Sequence, residues 1–210
     1  MKSEKLWDRL AKNWDTPGVS LGENDIKMLK KTKKYLNDAS IVLDYGCATG
    51  SIVFELADTV KEVHGVDISS NMIEIAKTKA AERNSNNAIF TQGTIFDERL
   101  QPESFDLILA LSILHLVEDA PQVLERIGQL LKPGGIFISD TPCLGKNALI
   151  TTLIRLPLAL LSKIGILPHI NFFTGSSGIT SIMPANFKIL ENESSAEQSI
   201  TECFIVARKI

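Results

Sequence analysis

Hydrophobic positions along the chain change period several times, and the changes divide it into elements. Over residues 3–15, Leu6, Trp7, Leu10 and Trp14 recur at spacings of three to four, which predicts a helix with both tryptophans on one face. Thr16-Pro17-Gly18 ends the pattern. A second helix is expected from Asn24, a favourable N-cap, to Leu36. Its five lysines read as a solvated face with cations near a helix C-terminus, or as a feature suited to an anionic substrate or a membrane surface. Ser40-Ile41-Val42-Leu43 is then a continuous apolar run, as expected of a strand buried on both faces.

From there strands and helices alternate. Helices are expected over Ser51–Asp58, from Ser69 or Ser70 to Arg83, and over Pro121–Leu131 with proline in the first turn. Strands are expected over Val63–Val66, Ala88–Thr91, Phe105–Leu111 and Ile136–Ser139, with closing strands over Phe187–Leu190 and Glu202–Ala207. The alternation predicts an α/β fold with a mostly parallel sheet and helices on both faces. Right-handed crossovers line up the strand C-termini along one crevice, where ligands bind. Asp44, Asp67 and the segment after Leu111 all sit at such ends.

Composition narrows the field. The 210 residues are 44% hydrophobic, 22% charged and 6% aromatic, with a net charge of −3. That is globular usage, and it lacks the basic footprint of a nucleic-acid binder. Cys47, Cys143 and Cys203 are too few and too dispersed for a disulfide framework or a zinc site; they read as reduced thiols in a cytoplasmic protein, and no metal is expected. No signal peptide is apparent. From Thr141 to Leu190 there is no acidic residue, whereas Lys146, Arg155, Lys163, Lys188 and His169 are present. The apolar part of this stretch, Ala148–Leu167, contains Arg155, Pro157 and Lys163, which makes it a poor membrane span although peripheral contact is compatible with it. We read the chain as one domain: 1–38 a helical lid, 39–142 the core that forms the crevice, 143–185 a variable cover and 186–210 closing strands.

The first strand ends in Asp44-Tyr45-Gly46-Cys47-Ala48-Thr49-Gly50. This is not the G-x-G-x-x-G of a dinucleotide site, where a pyrophosphate meets a helix N-terminus. An acid at the strand end suits a ligand carrying a positive amine rather than a phosphate. Asp67, 17 residues after Gly50 at the next strand's end, is placed to accept hydrogen bonds from ribose hydroxyls.

Together these residues resemble class I S-adenosylmethionine-dependent methyltransferases of the small-molecule type. Leu43 to Gly50 is similar to that family's first motif, and Val66-Asp67-Ile68-Ser69 with Asn71-Met72 to its second. Phe105-Asp106-Leu107-Ile108 and Leu130-Leu131-Lys132-Pro133-Gly134-Gly135 are similar to its later signatures. The resemblance covers about residues 38–142. It implies a Rossmann-like, doubly wound, seven-stranded sheet with an antiparallel last strand, and S-adenosylmethionine as cofactor. It also implies that Asp44 and the loop through Gly46, Cys47, Ala48 and Gly50 hold the methionine part. Asp67 would accept the ribose hydroxyls, Ile68 and Met72 would pack on adenine, and Thr94 and Ile95 would meet the adenine edge. Leu111 would touch the methionine end through its backbone. Three positions depart from the pattern: Ala48 replaces a glycine, Thr94 an adenine-reading acid, and Asn186 a frequent glycine.

Methyl transfer from a sulfonium mainly requires a nucleophile held in line with the methyl, so no catalytic triad is expected. His115, after the fourth strand, is the candidate general base, and Trp14 a candidate shield over the sulfonium. His64, inside a strand, reads as structural, and His169 as a candidate substrate contact. No Asn/Asp-Pro-Pro-aromatic run follows the fourth strand, which argues against methylation of nucleic-acid bases. The expected acceptor is a small hydrophobic or anionic molecule, and the chain a monomer or homodimer. The competing readings are a module that keeps the fold without the catalysis, tied to a membrane or partner, and an NAD-type oxidoreductase.

Overall fold

A computed structural model describes residues 2–15, 22–144, 148–164, 166–194 and 200–210. The Thr16–Gly18 break and Lys146 lie outside these residues. Seven strands form one sheet: β1 (Ile41–Tyr45), β2 (Glu62–Asp67), β3 (Ala88–Gln92), β4 (Phe105–Leu111), β5 (Leu131–Leu144), β6 (Phe187–Ser194) and β7 (Ile200–Lys209). Their order is β3-β2-β1-β4-β5-β7-β6. The first five pair in parallel, and β7 runs antiparallel between β5 and β6. This is the expected Rossmann-like arrangement, mostly parallel with an antiparallel last strand.

The helices are α1 (Lys2–Ala11), α2 (Glu23–Thr32), α3 (Ser51–Ala57), α4 (Ser70–Arg83), α5 (Ala120–Leu130), α6 (Ala148–Lys163) and α7 (Gly175–Thr180). Successive β-strand side chains point to opposite faces, so an unbroken apolar run must be covered on both. In β4, Leu107 and Leu109 join a cluster with Met28 and Leu29 of α2 and Val53 and Phe54 of α3. Ile108, between them, joins the opposite cluster with Leu124 and Ile127 of α5 and Ile179 of α7.

Several elements differ in extent from the sequence expectation, each for a local reason. The first helix ends at Ala11; Asn13 and Trp14 close it with turn bonds to the carbonyls of Leu10 and Ala11. The second starts after Gly22, whose N–H donates to the Asp25 carboxylate at 2.9 Å, so Asn24 is not its cap. Met28 and Leu29 are buried against the sheet, which makes α2 a core helix rather than part of a lid. Its Lys31 pairs with Glu191 and Glu193 of β6 and lies over the Phe204 ring, which ties the helix to the sheet. Strand β5 runs on to Leu144 because β7 pairs with it over Ile136–Leu144. Asn186 is not in the left-handed region; among the described non-glycine residues Ala48, Asn84, Glu103 and Ser112 are.

Candidate functional site

Strand order reverses between β1 and β4, so a crevice opens at their C-terminal ends. The β1 side is built by the glycine loop. Gly46 takes φ +81° and Gly50 φ +85°, where only glycine is unstrained. A side chain at Gly46 would meet Ile113, in the loop after β4, at 3.0 Å, so this glycine lets the two lips of the crevice close. Ala48 adopts φ +47°, an unfavourable conformation for alanine, where the resembling family usually has glycine.

Four of the loop's N–H groups are spent inside the protein. Gly46 and Cys47 donate to the Val66 carbonyl at 2.8 and 3.2 Å, Gly50 to the Cys47 carbonyl at 2.9 Å, and Ala48 to Asp67 Oδ2 at 3.0 Å. A phosphate cradle needs free backbone donors. What this loop offers instead is a buried acid: Asp44, 3% exposed. Burial, then the nearby Asp67 carboxylate, push its pKa up to about 7, and no basic side chain offsets them. A cationic ligand would relieve that cost.

Asp67 is also raised by burial, but three backbone donors partly offset the rise: Ser69 N–H on Oδ1 at 2.9 Å, Ala48 N–H on Oδ2 at 3.0 Å, and Ile68 N–H. A carboxylate has about four acceptor sites, so it retains capacity for ligand hydroxyls. Cys47 lies beneath the loop; burial and the same two acids push its thiol pKa up, so it is inert as a nucleophile.

Three acids on the N-terminal segment hold it across the β2 and β3 ends. Glu4 accepts from Gln92 at 3.1 Å. Asp8 accepts from Ser69 Oγ at 2.6 Å and Asn71 N–H at 3.2 Å, and the Ser69 bond holds its pKa below the usual carboxylate value. Asp15 takes the Thr49 hydroxyl at 2.9 Å and Lys79 at 2.7 Å. Trp14 packs edge-on against Trp7, ring centres 6.0 Å apart, and lines a cleft with Ser51, Phe54 and Arg83.

At the end of β3, Ile95 is 0% exposed, and Met72 of α4 is 1% exposed. Their side chains belong to the interior, which leaves backbone there to meet a ligand; Ile68 is half-buried. The Thr94 hydroxyl accepts from Phe96 N–H at 3.2 Å. The nearby Asp97 is held by Arg99 at 2.8 and 2.6 Å and does not replace the missing acid.

The β4 side is different. Ser112, following Leu111, adopts φ +52° and donates its N–H to the Asp140 carbonyl at 2.7 Å. His115 is half-buried, and burial pushes its pKa down to about 4. Its Nδ1 is buried with no hydrogen-bond partner among the described residues. The loop that carries it is held by Asn171. Asn171 N–H donates to the His115 carbonyl at 2.6 Å, and Nδ2 to the Val117 carbonyl at 2.6 Å and the Leu114 carbonyl at 3.4 Å. His169 bonds Asn171 Oδ1 at 3.0 Å. His169 also lines a cleft of about 500 Å³ with Leu6, Leu116, Ser162 and Lys163, between α1, the His115 loop and α6. His64 pairs with Glu62 and meets Phe105 edge-on, a structural role.

Sequence reading did not single out Asn171 or the acid pair Asp140 and Glu202. Burial is the main cause that raises both acids, and their shared hydrogen bond raises Glu202 further while partly offsetting the rise at Asp140. Both depend on contacts between distant segments, which no local motif encodes.

The description "Methyltransferase domain" matches residues 36–163. The chain therefore belongs to that family: it is a class I S-adenosylmethionine-dependent methyltransferase domain. Over 63% of its length it is 32% identical to the demethylmenaquinone methyltransferase of Lactococcus lactis subsp. lactis, and the match covers 55% of that protein. The chain spans about half the length of the curated relatives it matches. Its fold is similar to geranyl diphosphate C-methyltransferase from Streptomyces coelicolor A3(2), with TM-score 0.71, 13% identity, and coverage of 89% of this chain and 79% of that one. It is also similar to the [4+2]-cyclase SpnF, with TM-score 0.75, 14% identity, and coverage of 98% and 94%.

Proposed function

We propose that this chain transfers a methyl group from S-adenosylmethionine to a small, largely apolar acceptor with an acidic or anionic nucleophile. The observation that carries the reading is the β1 loop: four of its N–H donors are spent and a buried acid lies beneath it. That chemistry suits the ammonium and sulfonium charges of S-adenosylmethionine and disfavours a pyrophosphate. Asp44 would face the cationic methionine part, Asp67 the ribose hydroxyls, and the backbone at Thr94 and Ile95 the adenine. When bound, S-adenosylmethionine supplies an electrophilic methyl group and leaves as S-adenosylhomocysteine.

His115 shapes the acceptor. Its imidazole is neutral at pH 7, with a free Nδ1 that can accept a hydrogen bond. A group whose pKa is about 4 is a weak base. Taking a proton from a phenol-like hydroxyl of pKa ≈ 10 would be uphill by about 8 kcal/mol. An acceptor that is already acidic or anionic avoids this, and its charge would raise the imidazole pKa where the two meet. The apolar, acid-free α6 segment beside the cleft suits a hydrophobic body. By their names, the Lactococcus protein acts on demethylmenaquinone and the Streptomyces protein on geranyl diphosphate, both with apolar bodies.

A second reading has one observation behind it: SpnF, named a cyclase, shares the fold, so the fold alone does not dictate methyl transfer. Calorimetric titration with S-adenosylmethionine, S-adenosylhomocysteine and NADH separates the cases. Binding of both sulfur compounds and not NADH is expected, followed by S-adenosylhomocysteine release with apolar phenols, enols or diphosphates as acceptors. Cofactor binding without release for any acceptor favours the second reading, and no binding overturns both.

A further inference from the structure

We propose that the outward face of α6 is a membrane-contact surface that seats the protein on an anionic lipid bilayer. Leu156 is 66% exposed, Leu160 61%, Ile164 59% and Ile166 58%. These four are among eleven exposed large hydrophobic residues of the described part of the chain, and the other seven are scattered. Leu156, Leu160 and Ile164 are four apart, so they form one ridge along the helix. Contiguous apolar exposure of this kind marks an interaction surface, whereas single exposed leucines do not.

Charge selects the occupant. Arg155 and Lys163 flank the ridge, and no acidic residue occurs between Thr141 and Leu190, although the whole chain carries −3. A basic, apolar helix face fits the boundary between anionic headgroups and acyl chains, where long basic side chains reach the headgroups. A second copy fits poorly. A two-fold interface would set Arg155 and Lys163 against their own copies, with no acid in the segment to pair with them. Among the described residues no helix is long and apolar enough to cross a membrane, so α6 would lie along the surface.

The face of α6 adjoining the ridge bears on chemistry, and Lys163 stands at the border of the two. Ala159, Ser162 and Lys163 line the cleft beside the His115 loop. Where the acceptor reading above holds, a helix with one face on lipid and the other on this cleft would let an apolar acceptor enter from the bilayer. The docking itself does not rest on that reading and is measured without cofactor or acceptor.

The test is co-sedimentation with vesicles of phosphatidylcholine alone and of phosphatidylcholine mixed with phosphatidylglycerol. The wild type is expected to partition onto the anionic vesicles, more weakly onto the neutral ones, and less in high salt. Leu156→Glu with Leu160→Glu should reduce partition at least tenfold while S-adenosylhomocysteine affinity, read by calorimetry, stays unchanged. If the double variant fails to fold, Leu160→Glu alone should still reduce partition several-fold. No vesicle binding by the wild type overturns the proposal. So does binding that survives the substitutions, or a wild-type dimer in sedimentation that they dissolve.

Discussion

The two sides of the crevice solve opposite problems. On the β1–β2 side, backbone donors are consumed within one strand–helix–strand unit, chiefly by Val66 and Asp67 of the next strand, and two acids remain over. On the β4 side a histidine nitrogen is left over, and the loop that carries it is held by Asn171 from a segment more than fifty residues away. The first side is preorganised by local sequence for a cation. The second is assembled by long-range contacts, and its acceptor preference depends on whatever segment is laid against it.

The largest effect should come from closing the crevice itself. Gly46→Val places a branched side chain at φ +81° and against Ile113, where a Cβ alone would already lie 3.0 Å from the isoleucine side chain. Calorimetry should then detect no S-adenosylmethionine binding, with far-UV circular dichroism retained. Retained affinity would mean that this loop does not line the cofactor site.

Asp44→Asn should separate binding from stability. Cofactor affinity should fall on the order of a hundredfold, as expected when a buried charge loses its partner. Stability without cofactor should move the other way. Asp44 holds its proton up to about pH 7 in the folded state, whereas an ordinary aspartate loses it near 3.8. The folded protein therefore binds more protons between these values, and its stability falls as pH rises through them. The variant lacks this loss, so above pH 7 it should gain on the wild type by roughly 2–4 kcal/mol relative to pH 4. Parallel denaturant titrations at pH 4.5 and 8 that show no divergence would contradict the buried charge.

That asymmetry also marks what could be read in advance. Strands β1 to β4, the glycine loop and Asp67 were legible because each depends on residues adjacent in sequence: an apolar run, a left-handed turn, an acid at a strand end. The full length of β5 was not, because its last residues are held by β7, which lies more than fifty residues further on. The sequence pattern read α2 as a lid segment, since its lysines masked the buried Met28 and Leu29. Ile95 and Met72 were marked by motif, but their near-complete burial was not, since it depends on the segments packed over them. Asn171 carries no motif; an asparagine in an apolar stretch becomes meaningful only when three carbonyls are found around it.

Asn171→Ala tests whether the acceptor side hangs on that residue. It removes the side-chain donor from the Val117 and Leu114 carbonyls. The cost should be about 1–3 kcal/mol of stability for the unpaired groups. Turnover should fall about tenfold through the displaced His115 loop, with S-adenosylhomocysteine affinity within twofold of wild type. An equal loss of affinity would show that the two sides are not independent.

His115→Gln is the smallest change and the most specific. Burial keeps the folded pKa near 4, below the ordinary 6.5. The unfolded chain therefore takes up a proton between pH 6.5 and 4 that the folded chain refuses, and stability drains away as pH falls through this window. Water still reaches part of the ring, which limits the loss to about 1–2 kcal/mol. Glutamine does not titrate, so the variant's melting temperature should fall less than the wild type's between pH 7 and 4.5. Turnover should drop several-fold while cofactor affinity holds, because glutamine can still hydrogen-bond an acceptor but does not reproduce the position of Nδ1. If the drop vanishes for acceptors that are fully ionised at the assay pH, His115 acts on the proton. If it persists for them, His115 positions the acceptor through Nδ1, and the acceptor's own acidity supplies the reactive anion.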